Sequence, residues 1–241
     1  MADFVCVHGA WHGAWCWHKL KPLLEAAGHR VLAPDLPGHG EDTAPAQAIT
    51  LQICARRVCA AVQQLPGPVV LLGHSMGGMV ITQAAEHCTG QLRCLVYLAA
   101  FLPRDGQSLM QLEQTSPRST VPQSLTSGAG EHGVRVRTER LRPLLYHDCA
   151  EADVAFATAR LCPEPLSLLA APVAISAARC GTVPRYYIEC TEDRAVHPGL
   201  QGSMVAASPC RQVYSMPTGH SPFFSAPRAL AAILERIAAT A

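Results

Sequence analysis

Gly73-His74-Ser75-Met76-Gly77, followed at once by Gly78, sets a serine where its hydroxyl could act as a nucleophile. The pattern G-x-S-x-G is that of a nucleophile elbow, in which a strand ends, the chain turns sharply and a helix begins. Glycines two before and two after the serine leave room for backbone that side chains would strike. Such a turn lifts the hydroxyl clear of the sheet. It also leaves the Met76 N–H unpaired at a helix start, where the helix dipole favours a developing oxyanion. A bare match also occurs in plain strand-to-helix turns. Here it lies between the apolar residues 69–72 and a helical-looking stretch over residues 80–87, the context that the chemistry requires.

A serine hydroxyl needs a base, and the base needs an acid to orient it. In this arrangement the acid and then the histidine follow the serine, each in a loop after a later strand. His220 fits, in Pro217-Thr218-Gly219-His220 just past the last predicted strand. Asp193 fits as well, in the turn Thr191-Glu192-Asp193 after the strand-like Tyr186-Tyr187-Ile188-Glu189-Cys190, with Glu192 as its rival. With eleven histidines in the chain, one picked at random is ordinarily a surface or hydrogen-bonded core residue. The glycine loop after a strand is what singles out His220. His74, inside the elbow, is expected to point away from the base. A second oxyanion donor should come from His8-Gly9-Ala10-Trp11, after the first strand, with the Ala10 N–H as candidate. The plainer reading of His8-Gly9 is a strand terminator.

These residues need a scaffold, and the apolar pattern supplies one. Asp3–Val7 reads as a strand, residues 15–27 as a helix closed by Gly28, and residues 29–35 as a second strand. Thr50 can cap a helix running to about Leu65. The elbow follows, and residues 92–100 form a fourth near-continuous apolar strand. Strands apolar on both faces, alternating with helices, indicate an α/β fold: a mostly parallel sheet covered on both sides. About six strands in the order 2-1-3-4-5-6 would set the first-strand loop opposite the elbow, at a topological switch point. From Pro103 to about Pro184 the alternation breaks, with short helical patterns at residues 108–114 and 150–161. A structureless loop of that length is improbable in a compact domain, so a small helical cap inserted in the core is expected. The division is a core of residues 1–102 and 173–241 and a cap of residues 103–172. Alternation resumes with Arg185–Cys190, a helix near Pro198–Ala207, a strand over residues 211–216 and a last helix over residues 227–239.

Composition narrows the function. A chain of 241 residues, 49% hydrophobic and 15% charged, can bury one sizeable core. A net charge of +1 without basic clusters gives no reason to invoke nucleic acid. No apolar run approaches the length of a membrane span. The start MADFVCVHGAW is too short in apolar residues for a signal peptide, so the cytoplasm is the expected compartment. The eleven cysteines are scattered and form no C-x-x-C. They read as buried, reduced thiols, with neither zinc nor any other metal expected.

Residues 7–15 (VHGAWHGAW), Lys19 to Leu24 (KLKPLL), residues 73–79, Leu98-Ala99-Ala100-Phe101 and Cys190-Thr191-Glu192-Asp193 together resemble the plant methylesterase and hydroxynitrile lyase branch of the α/β-hydrolase fold. Many bacterial small-ester carboxylesterases share the likeness, which covers most of the chain and weakens from Pro103 to about Pro172. The resemblance implies a Ser75-Asp193-His220 triad, Ala10 and Met76 as oxyanion donors, no cofactor, and a helical cap over an apolar pocket lined by Phe101. It also makes a homodimer the candidate assembly. Trp11, Met110, Leu112, Phe156, Leu161 and Phe223 are further candidates for enclosing an apolar acyl or aryl group, and Ser221, next to His220, is a candidate substrate contact. Lyase members carry a lysine directly after the catalytic histidine. Here that position is Ser221, and the lysines are Lys19 and Lys21 alone. Hydrolysis of a small, largely apolar carboxylic ester is therefore the expected activity; a lyase-like enzyme and a non-catalytic small-ligand receptor are the alternatives.

Overall fold

A computed structural model describes residues 1–127 and 133–241. Along the first half run β1 (Asp3–Val7), α1 (Leu20–Ala26), β2 (Arg30–Leu32), α2 (Leu51–Gln63), β3 (Val69–His74), α3 (Gly77–Cys88) and β4 (Leu92–Leu98). Next come α4 (Leu109–Gln114), α5 (Val121–Ser124), the short antiparallel pair β5 (Leu125–Thr126) and β6 (Arg135–Val136), α6 (Thr138–Leu145), α7 (Glu151–Thr158) and α8 (Leu166–Ala170). The chain ends with β7 (Arg185–Cys190), α9 (Pro198–Ala207), β8 (Gln212–Met216), α10 (Pro222–Ser225) and α11 (Pro227–Thr240).

The main sheet has the order β2-β1-β3-β4-β7-β8, and every neighbouring pair is parallel. Counted along the chain, that is the expected order 2-1-3-4-5-6. All six residues of β3 are buried, because α1 packs with α11 and α2 with α3 to cover the sheet. Val69, Val70, Leu71 and Leu72 are wholly sequestered, each contributing about 1.5–3 kcal/mol through removal of apolar surface from water. Since β1 lies between β2 and β3, the loops that leave β1 and β3 diverge and open a crevice at their carboxyl ends.

Several boundaries differ from the sequence reading, each for a local reason. The helix expected over residues 15–27 is broken into a 3-10 turn, Ala14–His18, and α1. Pro22 has no N–H and its ring would meet the His18 carbonyl, so one continuous α-helix cannot pass through it. β2 keeps three residues of an expected seven, since at the sheet edge it pairs with β1 alone and only through Leu32. β4 stops at Leu98 because Ala99 turns left-handed at φ 44°. That turn brings the Phe101 N–H to the Ser75 carbonyl at 3.1 Å. The pairing of β5 with β6 was not expected from the sequence.

Candidate active site

Ser75 sits between β3 and α3 with φ 53°, a left-handed backbone that a non-glycine residue adopts only when its surroundings impose it. The surroundings are tight. A Cβ on Gly73 would lie 2.7 Å from the Gly77 carbonyl oxygen, and one on Gly77 would lie 2.8 Å from the carbonyl oxygens of Val7 and His8. These two glycines therefore let the elbow press against the end of β1.

Behind it, Asp193 Oδ2 accepts a 2.8 Å hydrogen bond from His220 Nδ1, and both residues are buried. Asp193 Oδ1 accepts the N–H groups of Ala195 and Val196 at 2.7 and 3.0 Å, and Gln201 Nε2 donates to Oδ2 at 3.4 Å. The carboxylate is thus fixed by its own loop and by α9. Glu192, the rival, is exposed; its carbonyl accepts from His147. The His220 loop is held from the other side, where Gly219 N–H donates to Asp148 Oδ2 at 2.7 Å.

Ser75 and His220 share the wall of a cavity of about 340 Å³ with Ala10, Trp11, Met76 and Phe101. No hydrogen bond joins the Ser75 hydroxyl to the ring. Such contacts commonly tighten only around substrate. Among the described residues, the N–H groups of Ala10 and Met76 meet no acceptor, while N–H groups close by are used: Trp11 N–H goes to Glu164, and Gly78 N–H to the Ser75 carbonyl. A hydroxyl, an imidazole braced by a buried carboxylate and two unspent N–H donors around one cavity can perform acyl transfer.

The rest of the wall is apolar apart from two residues of α4. Leu109, Met110, Glu113 and Gln114 come from α4, Val121 and Pro122 from α5, and Leu166 and Leu169 from α8. Burial pushes the Glu113 carboxyl above the usual range; one of its oxygens accepts from Ser119 and the other has no partner. Among the described residues, no group of three His, Cys, Asp or Glu side chains is placed to hold a metal ion. All eleven cysteines are unpaired.

The alpha/beta hydrolase family model matches residues 4–233. The chain belongs to that family. Methylesterase 2 of Arabidopsis thaliana is 34% identical over 250 residues, covering 98% of this chain and 95% of the relative. Putative methylesterase 11, chloroplastic, of the same plant is 33% identical over 247 residues, and there this alpha/beta hydrolase spans 98% of itself but 63% of the relative's length. Among solved structures, polyneuridine aldehyde esterase superposes with a TM-score of 0.88 at 28% identity, covering 98% of this chain and 99% of the other.

Within this alpha/beta hydrolase, Ser75, His220, Ala10, Met76, Trp11, Phe101 and Met110 meet at the cavity, and Asp193 stands behind His220. Others proposed from sequence do not line it. Phe156 lies against His18, with ring centroids 4.5 Å apart, and under the Arg160 guanidinium, because α7 packs on the turn before α1. Leu161 lines a separate pocket of about 130 Å³ on the far side of Trp11. Ser221 precedes α10 with its hydroxyl buried, and its carbonyl accepts the Phe224 and Ser225 N–H groups. Leu112 is buried away from the cavity wall, and Phe223 packs on Trp17 and His74. His74, expected to point away from the candidate base, instead lies beside His220: its Nε2 donates to the His220 carbonyl at 2.8 Å, and the rings are 4.5 Å apart. Burial holds His74 well below the ordinary histidine range, so it stays neutral against His220.

The sequence did not point to Leu109, Glu113, Gln114, Val121, Pro122, Leu125, Leu166, Leu169, Ala195 or Val196, which also line the cavity. A signal existed for α4 alone: Ser108 and Gln111 form a capping box, both bonds of which are made. That box predicts a helix start, and positions 109, 110, 113 and 114 then share one face.

Proposed function

We propose that this alpha/beta hydrolase is a serine carboxylesterase that cleaves small, largely apolar carboxylic esters through an acyl-enzyme. Ser75 Oγ attacks the ester carbonyl as His220 Nε2 takes its proton. Asp193 accepts from Nδ1–H, which fixes the tautomer with the lone pair facing the serine and stabilises the imidazolium. The Ala10 and Met76 N–H groups receive the oxygen that becomes negative. His220 then protonates the departing alcohol. In the second half, water loses its proton to His220, attacks the acyl carbon and releases the acid.

The observation that carries this reading is the pair of unspent N–H groups beside a left-handed Ser75, with a carboxylate-braced imidazole on the same cavity. Donors without an acceptor cost stability unless something is to bind them. The methylesterases and the esterase among the relatives support an ester as substrate, and the hydrocarbon of the cavity wall supports an apolar one. Lyase chemistry lacks support, because Ser221 is neutral and buried and Lys19 is spent on Asp153 at 2.6 Å.

The test is turnover of a short p-nitrophenyl ester and of methyl aryl esters. Ser75→Ala should cost roughly 10⁶ in kcat, because base, acid and nucleophile act as a unit. Equal turnover by wild type and Ser75→Ala would remove the esterase reading.

A further inference from the structure

The peptide units that present the Ala10 N–H are pinned one after another. The Gly9 carbonyl accepts from His8 Nδ1 at 2.9 Å and from the His12 N–H at 3.4 Å. In a trans peptide the N–H points opposite to the C=O, so this sends the Ala10 N–H the other way. The Ala10 carbonyl accepts from His12 Nδ1 at 2.7 Å, and on the opposite side the Trp11 N–H donates to Glu164 Oε2 at 3.0 Å. Trp11 is left-handed, with φ 64°. A bulky residue stays in that conformation only where its neighbours impose it.

Those neighbours belong to the segment between β4 and β7. Besides the Glu164 carboxylate, the Val134 carbonyl accepts from Trp11 Nε1 at 2.9 Å, and the Cys162 N–H donates to the Trp11 carbonyl at 3.0 Å. Glu164 is itself fixed, wholly buried, with its N–H and carbonyl both bonded to Val134. Its Oε2 also accepts from His39 Nε2 at 2.9 Å, while His39 Nδ1 faces the Pro37 carbonyl at 2.9 Å. Both ring nitrogens meet acceptors, an arrangement that only the imidazolium form satisfies by donating to both, with its charge balancing the carboxylate.

From this geometry we infer that Glu164 is a positioning residue for ester hydrolysis: paired with His39, it holds Trp11 left-handed and so aims the Ala10 N–H at the oxyanion. The segment over the cavity then does more than roof it, since it builds half of the oxyanion site from 153 residues away along the chain. The inference rests on the proposed esterase reading and deepens it.

Glu164→Gln separates this role from simple anchoring. The amide can set its oxygen where Oε2 stands and its NH₂ at the unpartnered Oε1 position. It brings no charge to balance a His39 ring whose two nitrogens both meet acceptors, so the charge-assisted anchor that Trp11 shares is lost. Misaiming one donor should lower kcat about 10- to 100-fold and leave KM within about threefold. Affinity for a trifluoromethyl ketone, which adds Ser75 to give a tetrahedral oxyanion, should fall by the same factor as kcat. Affinity for the matching methyl ketone should hold. Leu234→Ala, a buried truncation in α11 that lines neither pocket walled by Trp11, serves as the control for general loosening. A Glu164→Gln enzyme that loses thermal stability like Leu234→Ala but keeps wild-type kcat and trifluoromethyl ketone affinity overturns the inference. Should Glu164→Gln not fold, His39→Gln, which takes the paired ring from Glu164 Oε2, carries the same comparison, and an unchanged kcat there overturns it equally. Failure of the esterase reading registers elsewhere, as wild-type turnover by Ser75→Ala.

Discussion

Gly9 shows how little space surrounds the serine. A Cβ there would lie 2.8 Å from Ser75 Cβ and 3.0 Å from His74 Nδ1, closer than real contacts allow. Gly9→Ala should therefore push Ser75 off line and lower kcat/KM at least about tenfold, since small misplacements of reacting groups are costly. Gly90→Ala, with nothing within 4 Å of the new methyl, should leave turnover unchanged in the same ester assay. Full activity in Gly9→Ala would mean that the elbow does not press on the β1 loop. At this scale much of the site was legible, because Gly73, Gly77 and Gly78 encode backbone proximity in a local pattern. Gly78 fits only because its missing Cβ would fall 2.1 Å from the Phe101 carbonyl oxygen. Glu164 was not legible. Its partners His39 and Trp11 lie 125 and 153 residues away, and no local spacing records which distant donors a carboxylate will meet. Glu113 was hidden for a different reason: a Glu on a short helix ordinarily faces water.

Elements were readable in proportion to their length. α2 and α11, with 13 and 14 residues, show full helical periods, and the Thr50 cap on α2 was visible in the sequence; its side chain accepts from the Ile53 N–H at 3.2 Å. Among the described residues, the five α-helices between β4 and β7 have between four and eight residues. Little more than two turns, or fewer, cannot declare a buried face, which is why the sequence leaves Phe156 and Leu161 as cavity candidates although neither lines it. The same shortness makes α4 dependent on its ends. Ser108 Oγ accepts from the Gln111 N–H at 3.2 Å, and Gln111 Oε1 accepts from the Ser108 N–H at 2.8 Å. Ser108→Ala should cost about 1 kcal/mol of local stability. Because α4 contributes four residues to the cavity wall, the loss should emerge as a KM raised roughly fivefold with kcat within twofold. Thr50→Ala should lower global stability in urea by a similar amount and leave KM alone, since α2 supplies nothing to the cavity. A KM unmoved by Ser108→Ala would show that α4 holds its place without its cap.

For the molecule as a whole, acid should be the destabilising direction, and the reason lies in histidines buried as neutral rings near Ser75. Burial, helped by neighbouring histidines, puts His8 and His74 well below the ordinary range, and burial lowers His12 to about 4. Each is held as one tautomer. His8 Nε2 accepts from the Leu36 N–H at 3.1 Å, and His12 Nε2 accepts from the Tyr146 hydroxyl at 2.7 Å. His74 donates from Nε2 to the His220 carbonyl. The unfolded chain protonates these rings near pH 6.5, so below that value it binds more protons than the native state and stability falls with pH. Their contribution is complete above about 6.5 and is lost downward, for His12 until about pH 4. His39 acts oppositely. Burial lowers its pKa, but the Glu164 carboxylate outweighs that and raises it, so its contribution is present below about 6.5 and lost as pH rises through the native value. Glu113, raised by burial, also favours the native state at low pH and loses that contribution as pH rises from the carboxylate range. Three rings against one imidazolium and one carboxyl, with the lowered His29, Asp42 and Glu86 on the side of the rings, give a net loss on acidification. Urea unfolding should show stability dropping between pH 6.5 and 4.5, each buried ring adding up to about 1.4 kcal/mol per pH unit. His12→Asn should flatten the slope by about one proton. Equal stability at pH 7 and pH 5, in wild type and variant alike, would mean that these rings are not held neutral and that the β1 loop is built on different hydrogen bonds.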